Sequence, residues 1–147
     1  LSMLEQLVED QKTAMRDKDK LRLGVIRYLR SELKNAEIEK KEPLNQEEVV
    51  EVLQREIKRR KEVLADYEKA GRPELLAELK EEIAILTHYL PPQLSAEEIE
   101  EIARGVIDQL GAASKKEFGN VMKEMMPRVK GRAEGALVKQ VVEGLLE

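Results

Sequence analysis

The stretch GNVMKEMMPRVKGRAEG, Gly119 to Gly135, has the least ordinary composition in the chain. An apolar run at helical spacing (Phe118, Val121, Met122, Met125) leads through it. That run is expected to stop at Pro127, because a proline inside a helix lacks an amide donor and crowds the carbonyl four residues back. A basic turn follows, Arg128-Val129-Lys130-Gly131-Arg132, and a second glycine, Gly135, precedes another helical stripe of Leu137, Val138, Val141, Val142 and Leu145. Helix, turn, helix is the pattern here, and everything upstream reads as amphipathic helix with no internal repeat.

Working outward, Ser95 with Glu98 is a capping-box pair: a hydroxyl for the first free amides of a helix and a carboxylate three residues on. Ile99, Ile102, Ala103, Val106, Ile107 and Leu110 then make a clean stripe, stopped at Gly111. Ser114 with Glu117 is expected to open the next helix in the same way. Pro91-Pro92 ends the helix before this region. The domain boundary falls there, with residues 91–94 as a linker and residues 95–147 as a small three-helix domain. A unit of that size is marginal alone and must pack tightly. Met122, Met125 and Met126 are expected as flexible core filler.

Residues 1–90 read as four more helices. Ser2 with Glu5 starts the first, carrying Leu4, Leu7, Val8 and Met15 and ending near Asp17-Lys18-Asp19. Leu21, Val25, Tyr28, Leu29, Leu33 and Ala36 mark the second, which fades before Pro43. Asn45 with Glu48 opens the third, with Val50, Leu53, Ile57, Leu64 and Tyr67, and Gly71 is its left-handed stop. Pro73 fits the first turn of the fourth, where a missing N–H costs nothing. Its stripe is Leu76, Leu79, Ile83, Leu86 and Leu90. The short turn between the third and fourth predicts a long antiparallel hairpin. The expected fold class is therefore all-α, a four-helix N-terminal domain followed by a three-helix C-terminal one.

Composition agrees. Of 147 residues, 38% are charged, 41% hydrophobic and only 3% aromatic, which favours helices over sheets. There is no cysteine, which excludes disulfides and thiolate metal sites. No apolar run approaches a membrane span, and no secretory pattern is visible at the N-terminus. A cytoplasmic location is expected. The net charge of −4 argues against a nonspecific nucleic-acid coat but leaves room for a local basic patch.

The tail carries a resemblance. Gly119, Val121 and Met122, followed by Lys130-Gly131-Arg132-Ala133, resemble the tail domain shared by the YqeY family and the B subunit of the glutamine-dependent tRNA amidotransferases (GatB). Ala70-Gly71-Arg72, Tyr89-Leu90-Pro91, Gln93-Leu94-Ser95 and Ser114-Lys115-Lys116 extend the likeness to YqeY over essentially the whole chain. The resemblance implies a tRNA-handling tail and, by family association, a link to carbon–nitrogen ligases of amidotransferase type. Within that group glutamine hydrolysis belongs to a separate amidase subunit, and acyl-tRNA phosphorylation to a large domain missing here. The resemblance therefore implies an accessory module rather than a standalone enzyme. Where the family often has Asp, this chain has Glu134, a poorer N-cap.

The residues themselves offer little for catalysis. His88 is the only histidine, at a helix end beside Tyr89, and is read as a packing residue. No phosphate-cradling loop is present. No catalytic residue, metal site or cofactor is expected. Two basic clusters remain. Arg55, Lys58 and Arg59, with Arg60 and Lys61, lie on the third helix, beside Arg27, Arg30 and Lys34 of the second. Glu51–Arg55 and Glu56–Arg60 are expected as solvated i,i+4 pairs there. The second cluster is in the tail: Lys115, Lys116, Lys123, Arg128, Lys130, Arg132 and Lys139. From 111 to 140 seven cations face three anions, a local excess of four. Such segregation either eases solubility or forms a phosphate footprint. Gly131 and the N-terminus of the last helix would help seat a phosphate. With few aromatics to stack bases, the RNA would be a structured one read by shape, compatible with the tRNA that the resemblance implies. The alternative is a module that docks a protein partner through residues 1–90.

Overall fold

The computed structural model describes all residues, 1–147. The chain is all-α, with α1 (Met3–Arg16), α2 (Lys20–Lys40), α3 (Gln46–Lys69), α4 (Pro73–Thr87), α5 (Ala96–Leu110), α6 (Phe118–Val129) and α7 (Gly135–Leu145). It divides into two compact units, Leu1–Leu90 and Pro91–Glu147.

Helix starts follow local chemistry closely. Ser2–Glu5, Asn45–Glu48 and Ser95–Glu98 each form a complete capping box, with the side chains and backbone amides paired reciprocally. Asp19 caps α2 by accepting from the Arg22 amide at 3.1 Å. Stops are equally local. Gly71 and Gly111 take φ +64° and +65°, a region that costs a Cβ-bearing residue about 1 kcal/mol or more. Pro73 occupies the first turn of α4.

In the first unit, Leu7 of α1, Val25, Ile26, Leu29 and Leu33 of α2, Val49, Val52, Leu53 and Ile57 of α3, and Ile85 and Leu86 of α4 form one core. Antiparallel α3 and α4 make the long hairpin. Tyr89 closes this core. It is buried, and its hydroxyl donates to the Asp10 carboxylate, whose other oxygen accepts from Gln6 Nε2 at 2.8 Å. Burial first, then the Asp10 carboxylate, pushes the Tyr89 hydroxyl well above its ordinary value of 10.0. A raised folded-state value means this contribution is complete below pH 10 and is lost as pH rises beyond it, because only the unfolded chain then releases the proton. Tyr89→Phe is expected to cost about 1.5 kcal/mol at neutral pH, as for a hydrogen bond to a charged group. It should also flatten the alkaline loss. Urea unfolding at neutral pH and above pH 10 checks both.

In the second unit, Ile99, Ala103 and Val106 of α5, Val121, Met125 and Val129 of α6, and Val138 and Val142 of α7 form the core, with Leu94 and Leu146 at its margins. Leu94, placed in the linker by the sequence reading, packs into this core, and its amide donates to the Arg132 carbonyl at 2.7 Å.

Several expectations are corrected. α6 does not stop at Pro127 but runs on to Val129. Val121, Met125 and Val129 are fully buried at four-residue spacing, and helical geometry past the proline is what brings Val129 onto that stripe. Ser114 and Glu117 do not form a capping box. Lys115–Glu117 is a 3-10 turn, and the Glu117 carboxylate reaches back past Ser114 to the Ala113 amide at 2.8 Å. Met126 is not core filler but 40% exposed. Leu4, Met15, Tyr28 and Leu110 lie on the exposed edges of their stripes. α4 ends at Thr87, short of the prolines.

The expected solvated pair on α3 is also corrected. Glu56 is 1% exposed and is the one buried charged residue. Its carboxylate meets Arg59 Nη1 at 3.0 Å and Arg60 Nη1 at 3.3 Å. Arg60 also meets Glu82 of α4 at 3.2 Å and lies over the Tyr28 ring of α2, 5.3 Å from its centroid. One guanidinium thus ties three helices.

Candidate nucleic-acid interface

The tail cations are built on α6 and its two flanking turns. Lys115 and Lys116 sit in the 3-10 turn before it, where the Lys115 amide donates to the Glu147 carbonyl at 3.0 Å. Lys123 and Arg128 project from the helix, and Lys130 and Arg132 belong to the turn after it. All six side chains are exposed. They do not form one cluster. The 12 residues of α6 span ~18 Å at 1.5 Å per residue. Lys115 and Lys116 are therefore at one end, Arg128, Lys130 and Arg132 at the other, and Lys123 between.

Carboxylates temper one end. Arg128 pairs with Glu124 at 3.7 Å and donates to Gln109 Oε1 at 3.3 Å. The Glu98 carboxyl is held below its usual range by the Ser95 amide and hydroxyl and, more weakly, by the Arg132 charge. Glu98 therefore shares Arg132's field.

Gly131 has a different part from the one the sequence suggested. It takes φ +77° and is buried, and its carbonyl accepts from Gln93 Nε2 at 3.0 Å. Together with the Leu94 amide on the Arg132 carbonyl, this pins the basic turn to the segment before α5. Gly131 shapes the turn so that Lys130 and Arg132 face solvent while Val129 and Ala133 stay in the core. Glu134 precedes α7 without a side-chain cap bond, in keeping with its weak capping chemistry.

On α3, Arg55, Lys58 and Arg59 are all exposed and share a face at i, i+3, i+4 spacing, with Arg59 partly committed to Glu56. Arg27, Arg30 and Lys34 do not join them: they line a groove shared with α1. That groove was missed in the sequence, because Leu4 and Val8 read as ordinary core positions. The signal that could have found it is Ile38, an apolar residue off the Val25, Leu29, Leu33 and Ala36 stripe, which proves 65% exposed.

His88 is exposed at the C-terminal end of α4 and meets the Tyr89 ring edge-on, 5.7 Å between centroids. No group of three or more His, Cys, Asp or Glu side chains gathers in metal-binding geometry. No helix is long and apolar enough to cross a membrane.

The chain is all-helical, and α6 with its two flanking turns carries exposed cations over ~18 Å. Residues 4–146 match the family described as Yqey-like protein, and the chain belongs to that family. It is similar to "Altered inheritance of mitochondria protein 41, mitochondrial" of Pyrenophora tritici-repentis (strain Pt-1C-BFP), 29% identical over 133 residues, or 89% of this chain and 73% of the relative. It is also similar to the protein of the same name from Kluyveromyces lactis, 36% identical over 97 residues, 64% of this chain and 52% of that relative. The chain thus spans about half the length of the second relative.

These names overturn the expected cytoplasmic location, since both relatives are named as mitochondrial. The expectation rested on a sequence without cysteine, membrane span or visible secretory pattern. Such a chain forms no disulfide in any compartment, so its composition does not discriminate between them.

Proposed function

We propose that this Yqey-like protein is an RNA-binding accessory module whose C-terminal unit holds the backbone of a structured RNA, in the first instance a tRNA. The observation that supports it most is that Lys115, Lys116, Lys123, Arg128, Lys130 and Arg132, on α6 and its two flanking turns, are all exposed in a chain of net charge −4. Cations at two ends of a helix ~18 Å long suit separate phosphates of a duplex better than a single anion. Phe118 is the only phenylalanine and is packed against the core of its unit, so stacking on unpaired bases has no platform there. The likeness of the tail to the tRNA-handling domain of GatB points the same way, while amide-transfer chemistry would need subunits that this chain does not include.

Phosphate binding of this kind releases counterions, so affinity falls steeply with salt. Filter binding of tRNA to the full chain between about 50 and 200 mM salt reads it out. Lys130→Glu with Arg132→Glu is expected to weaken binding at least ~10-fold and to lower the salt slope by about two, one for each lost contact. Lys115→Glu with Lys116→Glu should do the same from the other end of α6. Arg55→Glu with Lys58→Glu, on the other unit, serves as the comparison for a general charge effect. Equal loss in all three double variants, or no binding at low salt, would remove the tail from the function.

A further inference from the structure

The groove between α1 and α2 has a volume of about 920 Å³ and lies wholly within the first unit. Its apolar surface comes from Leu4 and Val8 of α1 and from Leu33 and Ile38 of α2. Leu33 is buried and forms part of the floor, whereas Leu4 is 39% and Ile38 65% exposed. One wall carries Arg27, Arg30 and Lys34 at i, i+3, i+7, a single face of α2. Arg27 and Lys34 make no ion pair, and Arg30 is held by the neutral Gln11 side chain across the groove at 2.5 Å. Glu37 and Glu42 lie at the opposite end.

From this geometry we infer that the groove docks an amphipathic helix of a protein partner, with an apolar stripe flanked by acidic side chains. The length fits. Arg27 to Ile38 covers eleven residue steps of α2, ~16 Å or three turns, the footprint of a short helix laid in a groove. The charge fits as well. Three cations along one wall, none with a carboxylate partner of its own, favour acidic flanks on the incoming helix. The positions of Glu37 and Glu42 orient it, with its carboxylates and the negative end of its dipole over Arg27 and Arg30. A second copy of this chain is the poorer occupant. Outside the groove its exposed large apolar residues are Leu1 at the N-terminus and Met15, Tyr28, Val63, Leu75, Leu110 and Met126, each on a different helix, and no helix presents an exposed stripe. The site is on a different unit from the cationic tail, so it stands or falls independently of RNA binding.

The test uses the full chain and a designed fluorescein-labelled helix of about 15 residues, long enough to cover the groove. It has leucine at every third or fourth position and glutamate on both flanks. A second peptide keeps the leucines and carries lysine flanks. The glutamate peptide is expected to bind at least ~10-fold more tightly than the lysine peptide, one decade being about 1.4 kcal/mol. Its addition should shift the backbone amide resonances of residues 4–11 and 27–38. Ile38→Asp, at an exposed position, should lower its affinity ~10-fold or more without lowering the melting temperature. Arg27→Glu, Arg30→Glu and Lys34→Glu together should reverse the order of the two peptides, a result that only a folded variant can give. Equal binding of both peptides, no binding by either, or resonance shifts confined to other surfaces would overturn the proposal. So would sedimentation showing a dimer dispersed by Ile38→Asp, which assigns the groove to a second copy. Groove resonances that move only with phosphatidylglycerol vesicles would assign it to a lipid surface instead.

Discussion

Glu56→Ala is expected to cost the first unit about 3 kcal/mol, the low end of the range for breaking a buried ion pair by removing one partner. Most of that cost is not the lost attraction. Arg60 is only 14% exposed on its side chain and stays where it is, pinned by Glu82 and the Tyr28 ring. Without Glu56 it keeps one carboxylate instead of two, and a cavity opens beneath it. The low end applies because Glu82 remains. Glu56→Gln keeps the volume and one acceptor and should fall between wild type and alanine. Arg59→Ala removes the outer, 56%-exposed partner and should cost well under 1 kcal/mol, as exposed pairs do. Urea unfolding followed by circular dichroism gives the order. If alanine at position 56 costs no more than alanine at 59, then Glu56 is not the anchor described.

The second large effect separates two adjacent methionines. Met125→Ala is expected to cost about 3 kcal/mol, within the 2–5 kcal/mol found for fully buried large-to-small changes. Met125 is 0% exposed, between Val121 and Val129 and facing α5 and α7. Met126, 40% exposed, points away from that seam, so Met126→Ala should change stability by no more than about 0.5 kcal/mol. In a unit this small a loss of 3 kcal/mol is a large share of the total, so Met125→Ala should also increase proteolysis within Pro91–Glu147 at 37 °C. Thermal melts and limited trypsin digestion of the full chain check both substitutions. Equal cost at the two positions would mean α6 is rotated from the register described.

Element boundaries were legible wherever one residue's chemistry sets them. Three capping boxes, Gly71, Gly111 and Pro73 act through bonds or dihedrals within a few residues of themselves, and each was readable from its neighbours. The Ser114–Glu117 pair shows where that stops. The same two residue types at the same spacing gave a 3-10 turn, because Glu117 took the Ala113 amide and the Lys115 amide took the Glu147 carbonyl, a partner 32 positions away.

The candidate sites were less legible. The charge excess of the tail could be counted, but its division between the two ends of α6 depends on where that helix stops, and Pro127 hid the continuation to Val129. Met122, Met125 and Met126 look alike in a string, although adjacent helical residues lie about 100° apart, so a neighbouring helix must choose among them. The α1–α2 groove needed two helices placed side by side.

Helical class, the order of seven helices and most of their caps follow from the amino acids alone, since periodicity and capping act over one or two turns. Which charges sink and which stay wet does not. Glu56–Arg60 and Glu100–Arg104 share the same i,i+4 spacing, yet the first is clamped under Glu82 and Tyr28 while the second lies in solvent. Spacing places two side chains on one face of a helix, but only packing against other helices determines whether that face meets water.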